Sequence, residues 1–308
     1  MDAGARTVHG ATPGGGKTPL VSVVMPVYNS EAFLDASVGS VLRQTFKDFE
    51  LICFNDASSD SSSEILHRYA EADSRVRVID SPVNVRQGGG RNRAMGVARG
   101  VYVVFLDADD SLVPHALESC VDAARNHDSE AVFFDYLRVS PSRGESERVC
   151  QLGADASELG DDSLRRRIAE RTTPVWSAMY ALRVIRENEL YFPENVFYED
   201  NAVAAAIQLS ARNPVKINEA LYEYRCDNSS VTRSTNNPHF FDRTGSAVML
   251  LDNMKRLGLY DRFQDEIDFM FTNQYFVHTV FGAIYRFDKA QTAKIKEVRA
   301  GIARYVPG

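Results

Sequence analysis

Cysteine is scarce and dispersed. The chain of 308 residues has four, Cys53, Cys120, Cys150 and Cys226, with no Cys-x-x-Cys pair and no histidine at zinc-ligand spacing. That argues against a structural zinc and a disulfide framework, and the chain reads as a protein of a reducing cytoplasm. Long apolar runs are also missing. A membrane-spanning helix needs roughly 18 apolar residues, and the richest late segment, residues 269–287, is interrupted by Asn273, Gln274 and His278. Residues 1–19 lack the apolar stretch of a signal peptide; rich in Gly, Thr and Pro, they are expected to form a disordered tail. Their run Gly14-Gly15-Gly16-Lys17-Thr18 imitates a phosphate-binding loop, but Ala11 stands where the first glycine belongs. No strand before it or helix after it is indicated either. Positive charge is in deficit, with a net charge of -7. General nucleic-acid binding needs Lys and Arg to neutralise phosphates, so no nucleic-acid partner is expected.

What is present suits one large soluble domain, or a domain with an appendage: 44% hydrophobic and 25% charged residues. Short apolar runs at 21–25, 51–54, 76–79, 101–106 and 131–137 alternate with helical patterns. Leu34, Val38, Val41 and Leu42 recur at helical spacing, and Ser61 with Glu64 forms a capping box. Residues 91–99 read as a helix stopped by Gly100, and Pro114 marks another helix start. Strand alternating with helix predicts an α/β fold, a mixed but mostly parallel sheet with helices on both faces. After about residue 237 the pattern is helical without strands. There Phe271 and Tyr275, and separately Phe276, Val280 and Ile284, form apolar faces expected to pack on the preceding domain or on a second subunit.

In such a sheet, ligands gather beyond the carboxyl ends of the strands, and the unusual residues fall there. The run at 101–106 leads into Asp107-Ala108-Asp109-Asp110, three carboxylates in four residues. A hard divalent cation, Mn²⁺ or Mg²⁺, relieves their repulsion and shares its oxygen ligands with phosphates. The plain alternative is a solvated turn that caps the next helix. Other strand ends carry Pro26-Val27-Tyr28-Asn29, Asn55-Asp56-Ala57-Ser58-Ser59-Asp60 and Gly88-Gly89-Gly90-Arg91-Asn92. Glycines at a helix start allow backbone amides to approach an anion.

Taken in order, these motifs resemble family 2 glycosyltransferases of the GT-A fold. Gln44-Thr45-Phe46, Phe49-Glu50, Trp176, Phe192-Pro193, Glu199-Asp200, Tyr224-Arg225 and Ser229-Ser230-Val231 complete the match. The resemblance covers residues 20–236, the expected GT-A domain, and leaves 237–308 as a C-terminal helical appendage. It places Pro26, Val27, Tyr28 and Asp56 against uracil and ribose, Arg91 near the nucleotide and diphosphate, and Asp107 near the ribose or donor sugar. Asp109 matches the metal ligand and Asp200 the catalytic base, with Trp176 and Arg225 lining the sugar and acceptor cleft. It implies an inverting, metal-dependent transfer from a UDP-sugar to a hydroxyl of a glycan or glycolipid, in the cytoplasm or at the inner membrane face. Peripheral membrane association and homo-oligomer formation stay open.

The chain departs from the family pattern in places. Asn55 replaces an acid, Ala57 replaces a glycine and so implies a turn without positive φ, and Arg93 stands where smaller residues are frequent. Two alternatives compete. One is a sugar-nucleotidyltransferase, against which the loop after the first strand lacks the expected lysine. The other is a catalytically inactive sugar- or partner-binding module, against which Asp107, Asp109 and Asp200 are all intact.

Overall fold

The apolar runs expected as strands lie side by side. The computed structural model describes residues 8–9, 18–171, 173–227 and 234–306. In chain order the strands are β1 (Val8–His9), β2 (Val21–Val27), β3 (Phe49–Asn55), β4 (Val76–Asp80), β5 (Tyr102–Phe105), β6 (Ser111–Leu112), β7 (Ala131–Ser140), β8 (Glu145–Val149), β9 (Ala178–Ala181) and β10 (Val215–Arg225). They form one sheet in the order β1-β4-β3-β2-β5-β9-β7-β10-β6, with β8 beside β7. β4, β3, β2 and β5 are parallel. β9 runs antiparallel to both β5 and β7, so β7 and its parallel neighbour β10 point the same way as the first four. The sheet is mostly parallel, as expected.

Val8 and His9, in the expected disordered tail, pair with Ile79 and Val78 at the sheet edge. Residues 1–7 and 10–17, with the Gly14-Gly15-Gly16-Lys17 run, lie outside the described residues, as do Ser229-Ser230-Val231.

All of β2 and β3 is buried, as in strands covered on both faces. Glu50 survives there because its carboxylate accepts from Ser22 Oγ at 2.8 Å, Arg77 Nη1 at 3.0 Å and the Arg99 N–H at 2.7 Å. Burial pushes its pKa up, but these donors outweigh burial and hold it below the usual value.

The helices are α1 (Leu34–Leu42), α2 (Ser62–Ala72), α3 (Arg86–Val97), α4 (Ala116–His127), α5 (Asp161–Glu170), α6 (Leu182–Glu187), α7 (Ala204–Ser210), α8 (Asp242–Arg256), α9 (Leu259–Arg262), α10 (Gln264–Phe271), α11 (His278–Tyr285) and α12 (Thr292–Tyr305). Two expectations are corrected. The capping box is not formed: the Ser61 side chain makes no cap bond, and Asp60 Oδ1 takes the Ser62 N–H at 3.0 Å instead. The helix expected at 91–99 spans Arg86–Val97, so Gly88, Gly89 and Gly90 lie inside it, not in a loop before it. Packing explains the small residues. A Cβ on Gly88 would lie 2.2 Å from the Pro193 carbonyl oxygen, and one on Gly90 would lie 3.0 Å from the Phe54 ring.

After residue 237 the described chain is helical throughout: a 3-10 turn (Pro238–Phe241), then α8 to α12, with α10 and α11 joined by a π-helical turn (Thr272–Val277). Leu250, Leu251, Met254, Phe263 and Ile267 belong to the same continuous core as the sheet. Phe271 and Tyr275 stack with centroids 5.1 Å apart and both meet Tyr305. Phe276 and Val280 are half-buried, whereas Ile284 is exposed. No helix among the described residues is long and apolar enough to cross a membrane.

Truncation after Asn237 is expected to abolish cooperative folding. It would uncover the partners of at least five fully buried side chains. At about 1.5–3 kcal/mol each, that approaches the whole stability of a domain, about 5–15 kcal/mol. A soluble truncated chain with a sharp thermal transition would show that residues 18–237 fold alone.

Candidate functional site

Three parallel strands end on the same side of the sheet, and their following loops interlock. Beyond β2, Asn29 Oδ1 accepts from the Ser59 N–H at 2.8 Å, and the Asn29 N–H donates to Ser58 Oγ at 3.1 Å. The Asp56 N–H donates to the Val27 carbonyl at 2.8 Å. Pro26 and Val27 are buried, so of that trio Tyr28, 53% exposed, alone presents a side-chain surface. Such a ring suits stacking against a base. Asp56 is buried, and its Oδ1 accepts from the Val85 N–H at 2.7 Å where α3 begins. Burial raises its pKa against these donors. Ala57 adopts φ +58°, contrary to the expected turn without positive φ. The glycine conformation is kept although the glycine is gone, at roughly 1–2 kcal/mol of strain.

Arg91 lies on the inner face of α3 and is buried. Its Nη2 donates to Asp107 Oδ1 at 2.8 Å and its Nη1 to Glu199 Oε1 at 2.5 Å. Burial disfavours its charge, but Asp107, Glu199 and Asp200 outweigh burial and raise its pKa. The arginine expected at the diphosphate is therefore a buried tie between the loop after β5 and the Glu199-Asp200 pair. The residues beside it serve the same junction. Asn92 Nδ2 donates to the Phe192 carbonyl at 2.7 Å, and its Oδ1 accepts from the Phe192 N–H at 3.0 Å. Arg93, which the sequence left without a role, pairs with Glu194 at 2.8 Å.

The acids after β5 have different surroundings. Asp107 meets Arg91, and its N–H donates to Tyr222 Oη at 3.1 Å. Asp110 is buried, accepting from Tyr222 Oη at 2.7 Å and from the Arg225 N–H at 2.8 Å. Burial, then Asp107 and Asp109, push its pKa up to about 8. Asp109 is half-exposed and lines a cleft of about 250 Å³ with Ala36, Asp110, Glu223 and Arg225. Among the described residues no three His, Cys, Asp or Glu converge as a ready metal cage. One outward carboxylate nevertheless fits Mg²⁺ or Mn²⁺, which are held by one or two carboxylates plus waters and substrate phosphates.

Trp176, expected at the sugar, is 8% exposed and stacks on Tyr222 at 4.3 Å between centroids. It stiffens the strand that carries Tyr222. Arg225 lies over the Phe33 ring at 5.3 Å, on the cleft.

The two neighbouring acids are also distinct. Glu199 is buried against Arg91, whereas Asp200 is half-buried and its Oδ1 accepts from the Asn201 N–H at 2.9 Å. Burial, opposed by Arg91, raises the pKa of both. Sequence reasoning missed Tyr222, the hydroxyl that bridges two of the acids, because nothing in its neighbourhood indicated the strand β10.

Arg91→Met is expected to lower folding stability by about 3–5 kcal/mol, since it strands two buried carboxylates. The deficit should narrow as pH falls. A carboxyl whose folded pKa is raised favours the folded state below that pKa and opposes it above, and losing Arg91 raises Glu199 further. Urea unfolding at pH 5 and pH 8 checks both statements.

Comparison with known proteins agrees with this geometry. The sequence pattern of glycosyl transferase family 2 matches residues 22–185. The uncharacterized glycosyltransferase EpsJ of Bacillus subtilis is 31% identical over 222 residues, 70% of this chain and 63% of EpsJ. Glycosyltransferase GlyG of Streptococcus pneumoniae is 29% identical over 70% of this chain and 73% of its own. Among solved structures, S. aureus TarS 1–349 in complex with UDP-GlcNAc superposes with a TM-score of 0.77 at 20% identity, over 94% of this chain and 82% of that one.

Proposed function

The chain belongs to glycosyl transferase family 2, and on that premise we propose that it moves a sugar, with inversion, from a UDP-sugar to a hydroxyl of a glycan or glycolipid. The observation that supports this reading is the Arg91 junction, which ties Asp107 to Glu199 and lies close enough to Asp200 to act on its charge. Tyr28 stacks on the uracil, and Asp56 receives its N3–H. TarS, similar in fold, is described in complex with UDP-GlcNAc, which supports a uridine donor. Asp109 would hold Mn²⁺ or Mg²⁺, which when bound neutralises charge on the diphosphate.

Asp200 takes the proton from the attacking hydroxyl. Its half-buried position leaves it reachable, whereas Glu199 is occupied with Arg91. With one base and no carboxylate nucleophile, the displacement is single and the anomeric centre inverts.

Screening UDP release from a panel of UDP-sugars tests the assignment. Turnover is expected with Mn²⁺ or Mg²⁺, and loss of turnover in EDTA and in Asp109→Ala. UDP should bind more tightly than GDP or CDP by calorimetry in Mn²⁺. Full activity in EDTA would remove the metal role, and equal GDP affinity would remove the role given to Asp56.

Asp200→Asn is expected to lower kcat by roughly 10²–10⁴-fold while UDP affinity is kept. The base acts only when deprotonated, so kcat should fall as pH drops through the Asp200 pKa. Because that pKa is raised, the acid limb should lie above the ordinary aspartate value of about 3.9. A pH–rate profile checks the limb, and near-normal turnover in the variant would move the base elsewhere.

A further inference from the structure

Arg243, in the first turn of α8, is a cation without a counter-ion. It is half-buried, its Nε is buried with no acceptor, and no carboxylate among the described residues pairs with it. The nearest acid in sequence, Asp242, is engaged: its Oδ2 accepts from the Phe197 N–H at 3.2 Å and meets His239 Nδ1 at 3.2 Å. The guanidinium rests on aromatic faces instead, with Cζ 5.0 Å from the Tyr198 centroid and 5.0 Å from that of Phe240. Arg286 lies over the same Phe240 ring at 5.6 Å. Burial, with repulsion from Arg286, lowers the Arg243 pKa, and His278 is depressed by burial and then by Arg243. Positive charge thus accumulates where a helix N-terminus already carries a partial positive charge.

The location is what matters. Tyr198 adopts φ +62° and stands two residues before Asp200, within about 7 Å along the chain. We propose that Arg243 forms a subsite for an anionic group on the acceptor, a phosphate or carboxylate, placing a neighbouring hydroxyl at Asp200. The aromatic rings hold the guanidinium fork open for bidentate contact, the geometry that arginine offers such anions. The acceptor is then an acidic glycan, not a neutral one. This rests on Asp200 as the base.

The test titrates full-length protein, saturated with UDP and Mn²⁺ to block the donor site, with sn-glycerol 3-phosphate, methyl glucuronate and neutral methyl glucoside. The expected result is binding of at least one anionic probe and none of methyl glucoside, with the anion about tenfold or more weaker in Arg243→Gln. Binding of glycerol phosphate alone identifies a phosphate-bearing acceptor, and of glucuronate alone a uronic acid. Since Arg243→Gln removes an unpaired buried charge, its melting temperature should hold or rise. Binding of neither anion, equal binding of the neutral sugar, undiminished binding in Arg243→Gln, or a lowered melting temperature marking the guanidinium as structural would each overturn the subsite. UDP titration of the wild type is read separately. If UDP fails to bind, the donor reading falls, while dependence of anion binding on Arg243 is measured equally well without UDP.

Discussion

One buried guanidinium joins two acids that lie far apart in the chain. Arg91 contacts Asp107, 16 residues away, and Glu199, 108 residues away, and all three are largely removed from water. A single charge buried there would be prohibitive, but a cation between two anions that are themselves hydrogen-bonded can persist. The helix around Arg91 reinforces the junction. Gly88 lets the Pro193 carbonyl approach, Asn92 pairs with the Phe192 backbone on both its edges, and Arg93 meets Glu194. Four of six consecutive residues in one helix thus hold the segment leading to Asp200. The loop after β5 and the Glu199-Asp200 turn are positioned by the same element.

The same tie separates carboxylates that look interchangeable in sequence. In the loop after β5, Asp107 is engaged by Arg91 and Asp110 by Tyr222 and the Arg225 N–H, while Asp109 lines the cleft half-exposed. In the later pair, Glu199 is engaged by Arg91 and Asp200 is the more accessible neighbour. Neighbouring carboxylates in each cluster therefore have different partners and different exposure. This division explains how so many acids can share a small volume. The raised pKa of Asp110 records the repulsion left over.

The central strands were legible because burial on both faces leaves a largely apolar run, as at Val21–Val27 and at residues 51–54 within Phe49–Asn55. β9 was not: it is four residues long, and two of them are alanine. β10 was hidden because Lys216, Asn218 and Glu219 interrupt its apolar pattern near a register irregularity. The start of α3 was misplaced because three glycines read as a loop, when Gly88 admits Pro193, a contact 105 residues distant, and Gly90 admits Phe54. Ala57 misled in the opposite direction. A missing glycine suggested a relaxed turn, whereas the interlocked hydrogen bonds of Asn29, Ser58 and Ser59 sit beside a backbone that keeps its positive φ. Local pattern located the acids, but only the tertiary contacts showed which of them are occupied.

The C-terminal helices alter how the site itself is understood. Asn253 of α8 donates to the Ala202 carbonyl at 3.3 Å, and Asp242 accepts from the Phe197 N–H. The turn bearing Asp200 is therefore held on one side by α3 and on the other by α8. Residues 237–308 look like an appendage in sequence because they add no strand to the sheet. Physically they are the second wall of the turn that carries Asp200, and they bring Arg243 to Tyr198. The loops after β2 and β3 can be written in short motifs because their mutual hydrogen bonds run between residues next to the strand ends. The 197–202 turn needs α8 to reach it from 40 or more residues away, so it depends on packing that no local motif records.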